Sequence, residues 1–191
     1  RPKMPKSWIK NYNKWLTTCE IEDVLKQYMD SDENFYFYGA VPMDFKKCSV
    51  SNLCSIDISD HLSKKQSKIG IVFNTDPSTK EGEHWISMYI DLGNHNHNCP
   101  GIYYFDSYGK KPSKEITQLI QKVKSQCNQC KKKILYFYND IPYQKKDAQC
   151  GMFAIDFIKN MIEGKSFRSY LNEPLSDNLM SQLRNEFFIK L

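Results

Sequence analysis

The segment Tyr143-Gln-Lys-Lys-Asp-Ala-Gln-Cys-Gly151 joins a polar loop to a helix with one apolar face, and Cys150 stands at the start of that helix. At such a position, unpaired backbone N–H groups and the positive end of the helix dipole stabilise a thiolate, the nucleophilic form of cysteine. Gln144 can direct its amide toward a developing oxyanion, together with the Cys150 N–H group. The helix pattern alone also allows the alternative that Cys150 is a small buried hydrophobic residue.

A cysteine nucleophile needs a base, and the base needs a partner that fixes its tautomer and favours the imidazolium form. Of the four histidines, His84 stands directly before Trp85 at the start of a candidate strand, where the end of a sheet can hold it in place. Asp106 closes the next candidate strand and can reach His84 if the two strands are adjacent. Taken alone, each has an ordinary interpretation, as a strand-end histidine or as the aspartate that begins a turn.

Taken together, these residues resemble a known clan of cysteine proteases. The clan contains the SUMO and ubiquitin-like-modifier proteases, adenovirus proteinase, and the polyprotein-processing proteases of large DNA viruses. Its signature is a His-Trp pair at a strand start, an acid in a Tyr-Asp-Ser-like strand end, and a glutamine six residues before a Cys-Gly pair on a helix. The corresponding residues here are His84-Trp85, Asp106-Ser107, Gln144 and Cys150-Gly151.

The resemblance implies a role for each of these positions and an adenain-like, papain-like cysteine protease core. It implies cleavage after slender dipeptides of the Gly-Gly or Gly-Ala type, because glycine fits between aromatic walls without a clash. The catalytic residues would be Cys150, His84 and Asp106, the oxyanion hole would include Gln144, and the substrate cleft would include Trp85 and Gly151.

Two departures from the SUMO proteases bear on the substrate. The insertion 92–101 lengthens the separation of His84 from Asp106, and Gln149 stands where those enzymes usually have an aspartate. The stretch 39–45 looks more like the viral processing enzymes. We therefore expect a viral polyprotein or capsid-maturation protease, with an isopeptidase acting on SUMO or ubiquitin conjugates as the alternative.

The order of predicted elements indicates an α+β fold in which a mainly antiparallel sheet packs against the helix that carries Cys150. We divide the chain into an N-terminal arm at 1–15 and a single protease domain at 16–191. This domain has an N-terminal helical and irregular lobe at 16–67 and a catalytic core at 68–191. Strands are predicted at 68–73, 84–91, 102–106 and 133–138. Helices are predicted at 18–29, weakly at 55–65, from Ser113, from Cys150 toward Gly164, and from Ser176 to Phe188.

Composition limits the classes of function. At 191 residues, with 40% apolar and 14% aromatic residues, the chain suits one folded domain. Neither a membrane span nor a secretory leader is expected, and the seven cysteines, an odd set at irregular spacings, indicate thiols in a reducing compartment such as the cytoplasm. The net charge of +5 is spread over short lysine clusters, which favours a solvated surface. Nucleic-acid binding is left open but unsupported, and a monomer without a cofactor is expected.

Two rival functions remain. A zinc-binding module could draw on His95, His97, Cys99, Cys127 and Cys130, since a C-x₂-C step is a real ligand spacing. A non-enzymatic binding domain is the second rival. It has no need of a histidine, an acid, a glutamine and a cysteine in the order of the protease signature, so we expect an enzyme without a metal.

Overall fold

The computed structural model describes residues 1–93 and 99–190. Within them, five strands form one sheet in the order β1-β2-β3-β4-β5. The strands are β1 (Phe35–Val41), β2 (Lys68–Asn74), β3 (Trp85–Asp91), β4 (Gly101–Phe105) and β5 (Leu135–Tyr138). The α-helices are α1 (Thr18–Ser31), α2 (Ile58–Ser63), α3 (Lys114–Gln129), α4 (Cys150–Ile162), α5 (Phe167–Leu171) and α6 (Asp177–Phe187).

The sheet is antiparallel at its centre and parallel at both edges. Strands β2, β3 and β4 pair antiparallel, as predicted, so the ends of β3 and β4 that bear the candidate site are neighbours. Strand β1 joins β2 in parallel, and β5 joins β4 in parallel. Parallel neighbours need a crossover connection, and here α2 lies between β1 and β2 while α3 lies between β4 and β5. The sheet is therefore mixed.

Helices cover both faces of this sheet. One core joins α1, α4, α5 and α6 to the face that presents Trp85, Tyr89 and Phe105. The other core joins α2 and α3 to the face that presents Ile86 and Tyr104. All seven residues of β3 are buried, as is typical of a strand covered on both sides. The predicted packing of the sheet against the helix that carries the cysteine is present.

Helix boundaries follow the capping signals in the sequence. Thr17 and Glu20 form the predicted capping box at α1. Ser113 and Ser176 each accept a backbone N–H from the first turn of the helix that follows, α3 and α6 respectively. Gly164, with φ +94°, follows the end of α4, as predicted. The five-residue α5 was not predicted, because a single turn is too short to show helical periodicity. Among the described residues, none of the helices is long and apolar enough to cross a membrane.

The N-terminal arm is fastened to the C-terminal end of the chain. Met4 N–H donates to Ile189 O at 2.9 Å, and Ile189 N–H donates to Pro2 O at 2.8 Å. Trp8 is buried, with its ring centroid 4.9 Å from that of Phe188. Strand β1 belongs to the predicted lobe at 16–67 and yet pairs with β2 of the predicted core. We propose that 16–191 form one domain with the arm packed against it.

The prediction that every cysteine is a thiol is wrong for one pair. Cys48 and Cys54 are joined by a disulfide. Backbone bonds from Val50 N–H to Lys47 O and from Cys54 N–H to Ser51 O fold this segment into successive turns, which bring the two sulfurs together. The sequence did not predict this pairing, because seven cysteines at irregular spacings do not indicate which two form a bond.

Asp156 is a buried carboxyl on α4 that we expect to destabilise the protein at neutral pH. Burial raises the pKa of Asp156 to about 6, even though Tyr170 O–H donates to it at 3.0 Å and Asn160 Nδ2 at 3.0 Å. Such a carboxyl does not affect the free energy of unfolding at pH values below its pKa in the unfolded chain, where it is protonated in both states. It destabilises the folded state fully above about pH 6, where burial of its charge is costly. Asp156→Asn should therefore raise Tm at pH 8 by several degrees, at about 2–4 °C per kcal/mol, and by much less at pH 4.

Thermal melts at both pH values check this. Glu163→Gln is the matched control, because Glu163 lies at the end of the same helix in an exposed ion pair with Lys159, which contributes little. Equal stabilisation of Asp156→Asn at pH 4 and pH 8 would contradict the expectation.

Candidate active site

Cys150 is the first residue of α4 and only 3% exposed. Gln149 occupies the N-cap position without a side-chain hydrogen bond to the helix. Its amide instead donates to Asn13 Oδ1 at 2.9 Å and accepts from Arg184 Nε at 3.3 Å. No capping side chain from Gln149 therefore competes for the N–H groups of the first turn, and the positive end of the helix dipole acts at the sulfur.

The structure brings His84, Asp106 and Cys150 together. His84 Nε2 lies 2.8 Å from Asp106 Oδ1, and the same oxygen accepts the Tyr108 N–H at 2.8 Å. Asn139 holds the Asp106 backbone by donating to its carbonyl at 2.7 Å and accepting its N–H at 2.9 Å. Cys150 is a neighbour of His84, close enough for its charge to act on the imidazole. Since Asp106 uses Nε2, the ring nitrogen that remains for the sulfur is Nδ1.

The surroundings of His84 favour its charged form. Burial lowers its pKa, but the hydrogen bond to Asp106 and the negative charges of Asp106 and Cys150 outweigh burial, and the pKa rises to about 9. The imidazole is then protonated at neutral pH, and a cation beside the sulfur favours the thiolate. The ring of Tyr108 covers the imidazole, with their centroids 4.7 Å apart.

Gln144 is buried next to this group, and its amide is already engaged. Oε1 accepts the Ser107 hydroxyl at 2.6 Å, while Nε2 donates to Lys146 O at 2.5 Å and to Tyr108 Oη at 3.3 Å. The bond from Ser107 identifies Oε1 as the acceptor end, so the donor end points away from Ser107. The long bond to Tyr108 is the weaker one, and a substrate oxygen could replace it. The oxyanion role of Gln144 stays a prediction.

Sequence reasoning gave no role to three residues that organise the site: Ser107, Tyr108 and Asn139. Ser107 and Tyr108 directly follow Asp106, so their adjacency was a usable signal. Tyr108 also donates its hydroxyl proton to Asp147 at 3.2 Å, above the candidate base. The pairing of Asn139 with Asp106 spans 33 residues and had no local signal.

Two cavities flank the site. The tryptophan cleft, of about 390 Å³, is lined by Trp15, Leu16, Trp85 and the loop at 76–83, among others. The histidine cavity, of about 590 Å³, is lined by His84, Asp106, Tyr108 and Lys110, among others. Trp15 and Glu83 border both cavities. His84 directly precedes β3 and Trp85 is its first residue, and each lines a different cavity, as expected where neighbouring side chains of an extended chain alternate.

Gly151 joins Cys150 to the wall of the tryptophan cleft. A Cβ atom at Gly151 would lie 2.9 Å from Leu16 Cβ and 3.3 Å from Trp85 Cδ1. Trp85 is fixed there by donating its indole N–H to Leu16 O at 2.9 Å. Glycine at position 151 therefore lets the helix pack directly against the wall of the cleft. This contact supports placing Trp85 and Gly151 at the substrate cleft, which stays a proposal.

The candidate zinc ligands do not form a cluster within the described residues. Across 1–93 and 99–190, no group of three or more His, Cys, Asp or Glu side chains is arranged to hold a metal ion. Cys127 is buried in α3, where burial raises its pKa to about 11, and Cys99 is exposed. His95 and His97 lie outside the described residues, so the zinc hypothesis is untested for that segment.

Comparison with known proteins decides the family. A sequence profile described as the Ulp1 protease family, C-terminal catalytic domain, matches residues 54–190. The chain belongs to the Ulp1 protease family. Similar proteins are named as thiol or cysteine proteases, and the resemblance to SUMO proteases and to proteases of large DNA viruses is confirmed.

Two curated relatives of the chain are viral proteins. A protein of Acanthamoeba polyphaga mimivirus named as a thiol protease is 33% identical over 175 residues, which cover 91% of this chain and 56% of that protein. A SUMO-1 cysteine protease of African swine fever virus is 23% identical over 186 residues, which cover 91% of this chain and 67% of that protein. The chain thus spans about half to two thirds of the length of these relatives.

Solved structures confirm the α+β protease fold. The crystal structure of the African swine fever virus protease superposes with a TM-score of 0.82 at 20% identity, covering all of this chain and 72% of that one. The yeast Ulp1 protease domain, solved in complex with Smt3, gives a TM-score of 0.55 at 15% identity, covering 92% of this chain and 80% of that one.

Proposed function

We propose that this chain is a cysteine endopeptidase whose nucleophile is Cys150. The observation that carries the proposal is the placement of His84 between Asp106, at 2.8 Å, and the Cys150 sulfur, at the N-terminus of α4. A buried imidazolium beside a sulfur at a helix N-terminus is the environment that makes a thiol nucleophilic. Neither a purely binding domain nor a structural histidine needs this arrangement.

The proposed reaction is acyl transfer. The Cys150 thiolate attacks the scissile carbonyl, a C–S bond forms, and the oxyanion accepts hydrogen bonds from the Cys150 N–H and from Gln144. The His84 imidazolium gives its proton to the leaving amine as the C–N bond breaks. Neutral His84 then takes a proton from water, which attacks the thioester and releases the carboxylate product and the thiolate. Asp106 orients the imidazole throughout.

The tryptophan cleft limits the substrate. Trp15 and Trp85 line it together, and Trp85 is fixed by its bond to Leu16. Glycine has no Cβ, so a glycine-containing chain can lie extended against both indole rings with the least steric conflict. We therefore assign the protease to sites of the Gly-Gly or Gly-Ala type in an exposed segment of a larger precursor. We further propose that it acts in virion maturation in the cytoplasm of an infected cell, since similar proteases are encoded by mimivirus and by African swine fever virus.

A substrate panel tests the proposal. Purified protein would be incubated with flexible peptides that carry Gly-Gly, Gly-Ala or Leu-Leu before the scissile bond, and with isopeptide-linked SUMO and ubiquitin conjugates. Mass spectrometry would identify each new C-terminus. We expect cleavage after the glycine-containing dipeptides. Cleavage confined to the isopeptide bonds would favour the SUMO or ubiquitin isopeptidase instead, and cleavage of Leu-Leu at equal rates would contradict the narrow cleft.

The rate of cleavage should fall in alkaline solution. The pKa of His84 is raised to about 9, so the imidazolium is present at neutral pH and is lost as pH rises through that value. We expect kcat/KM of the wild type to fall above about pH 9. In Asp106→Ala the same fall should begin at a lower pH, because the pKa of His84 drops by about one unit for each 1.4 kcal/mol of lost interaction. Asp106→Asn keeps a hydrogen-bond acceptor and should lie between the two.

A pH profile of kcat/KM for the three proteins makes the measurement. Asp106→Ala should also be milder at neutral pH than loss of His84, because Asp106 takes no part in the covalent steps. If Asp106→Ala keeps the wild-type alkaline limb, a different group sets the charge of His84.

A further inference from the structure

Arg184 on α6 is an unusual residue to find fully buried, with 0% of its surface exposed. Buried arginines are ordinarily paired with a carboxylate, since burying an unpaired charge is costly. The hydrogen bonds of this guanidinium go to uncharged oxygens. They are Tyr12 O at 3.0 Å, Lys14 O at 2.9 Å, Ala148 O at 3.4 Å and Gln149 Oε1 at 3.3 Å.

These acceptors belong to two segments that meet at the candidate site. Tyr12 and Lys14 lie just before Trp15, which lines both cavities. Ala148 and Gln149 are the two residues that precede Cys150. Arg184 therefore ties the arm, the C-terminal helix and the turn into α4 together. The ring of Trp8 closes this pocket, with its centroid 4.4 Å from Arg184 Cζ.

The charge of Arg184 is retained in this pocket. Burial lowers its pKa to about 10, which is still well above neutral. The ionisable groups that face it are Tyr12, Cys150 and Glu20, and each favours the charged guanidinium. The guanidinium hydrogen-bonds to both residues that precede Cys150, so its positive charge lies near the sulfur and attracts a negative charge there. None of the four hydrogen-bond acceptors named above carries a charge, so these bonds do not neutralise the guanidinium.

We propose that Arg184 is a positioning residue for the nucleophile: it fixes the turn at 148–149 and supplies a second buried positive charge, besides that of His84, to the Cys150 thiolate. This inference rests on the proposed function. It also gives the arm at 1–15 a role in activity, since two of the four acceptors are arm carbonyls.

The test is the pH dependence of Cys150 alkylation by iodoacetamide, measured by peptide mass spectrometry with exposed Cys19 as the internal reference. Arg184→Gln removes the positive charge and keeps an amide donor. Arg184→Lys keeps the charge but loses the planar guanidinium with its fixed set of N–H donors. Arg168→Gln, at an exposed arginine of α5, is the control. For Arg184→Gln we expect the alkylation midpoint to rise by about one pH unit, which is a tenfold loss of reactivity at pH below the midpoint.

For Arg184→Lys we expect a midpoint close to wild type with a reduced kcat, because the charge stays and the turn loosens. Should Arg184→Gln fail to fold, as judged by circular dichroism, Arg184→Lys alone decides: a midpoint as high as that of the reference thiol overturns the charge role. A folded Arg184→Gln with the wild-type midpoint overturns the inference and leaves the proposed function standing. Wild-type Cys150 that labels no faster than Cys19 overturns both.

Discussion

Cys150→Ala and His84→Ala are each expected to abolish peptide-bond cleavage and to leave a folded protein. Without the sulfur there is no acyl-enzyme, and without the imidazole the sulfur loses both its counter-ion and the acid that protonates the leaving amine. Losses on the order of 10⁴-fold or more in kcat are typical when a member of such a unit is removed. Product formation by mass spectrometry and circular dichroism make the two measurements.

Cys127→Ala is the matched control for the nucleophile. Cys127 is also a buried thiol in a helix. Burial raises its pKa to about 11, and its helix, α3, packs on the opposite face of the sheet from α4. Its loss should leave kcat unchanged. Wild-type turnover by Cys150→Ala, or an equal loss in Cys127→Ala, would remove Cys150 from the mechanism.

Replacing the glycines before the scissile bond with leucine should remove cleavage almost completely. The reason is steric: in the proposed function the residues before the cut lie in the cleft lined by Trp15 and Trp85, and Trp85 is held by its bond to Leu16. Glycine adds no such volume. A peptide library varied at the two positions before the cut, with kcat/KM for each member, gives the result. For each position replaced with Leu, Phe or Lys we expect a loss of about 10- to 100-fold, on the scale of the roughly 1–3 kcal/mol that an overpacked site costs. Replacement of both positions should multiply the two losses.

Alkylation of Cys150 by a small electrophile separates access from chemistry in this experiment. A small electrophile does not have to occupy the tryptophan cleft. The rate of Cys150 alkylation should therefore be the same in the presence of peptides that are not cleaved as in their absence. Equal turnover of Gly, Leu and Phe peptides would instead indicate an open groove, and the roles assigned to Trp85 and Gly151 would then fall.

Much of the fold follows from local signals in the sequence. The capping residues Thr17, Ser113 and Ser176 mark three helix starts. Runs rich in β-branched and aromatic residues, bounded by turn signals, indicated the central strands. The parallel edges were not predicted, because pairing direction depends on crossover connections rather than on the strand sequences themselves. The disulfide between Cys48 and Cys54 was missed, since turns of irregular sequence bring these residues together.

The candidate site divides in the same way. His84, Asp106 and Cys150 could be proposed from strand ends and a helix start, because those positions are local features, and their order matches a known signature. Asn139 and Arg184 could not be, since each acts through hydrogen bonds that span more than 30 residues. A single sequence carries no pattern that marks the buried partner of a distant backbone group.

The alternation of His84 and Trp85 at the start of β3 has a consequence for engineering this protein. Neighbouring residues of a strand face opposite sides of the sheet. A one-residue slip in the pairing of Asn74 with Trp85 would therefore turn the side chains of Trp85 and His84 to the opposite faces. Both the proposed general acid and the side chain that lines the tryptophan cleft would then be misplaced. Insertions within β3 should thus be uniformly inactivating. The hairpin loop at 76–83 lines the cleft without entering the pairing register, so selectivity can be altered there while the acid–base geometry is preserved.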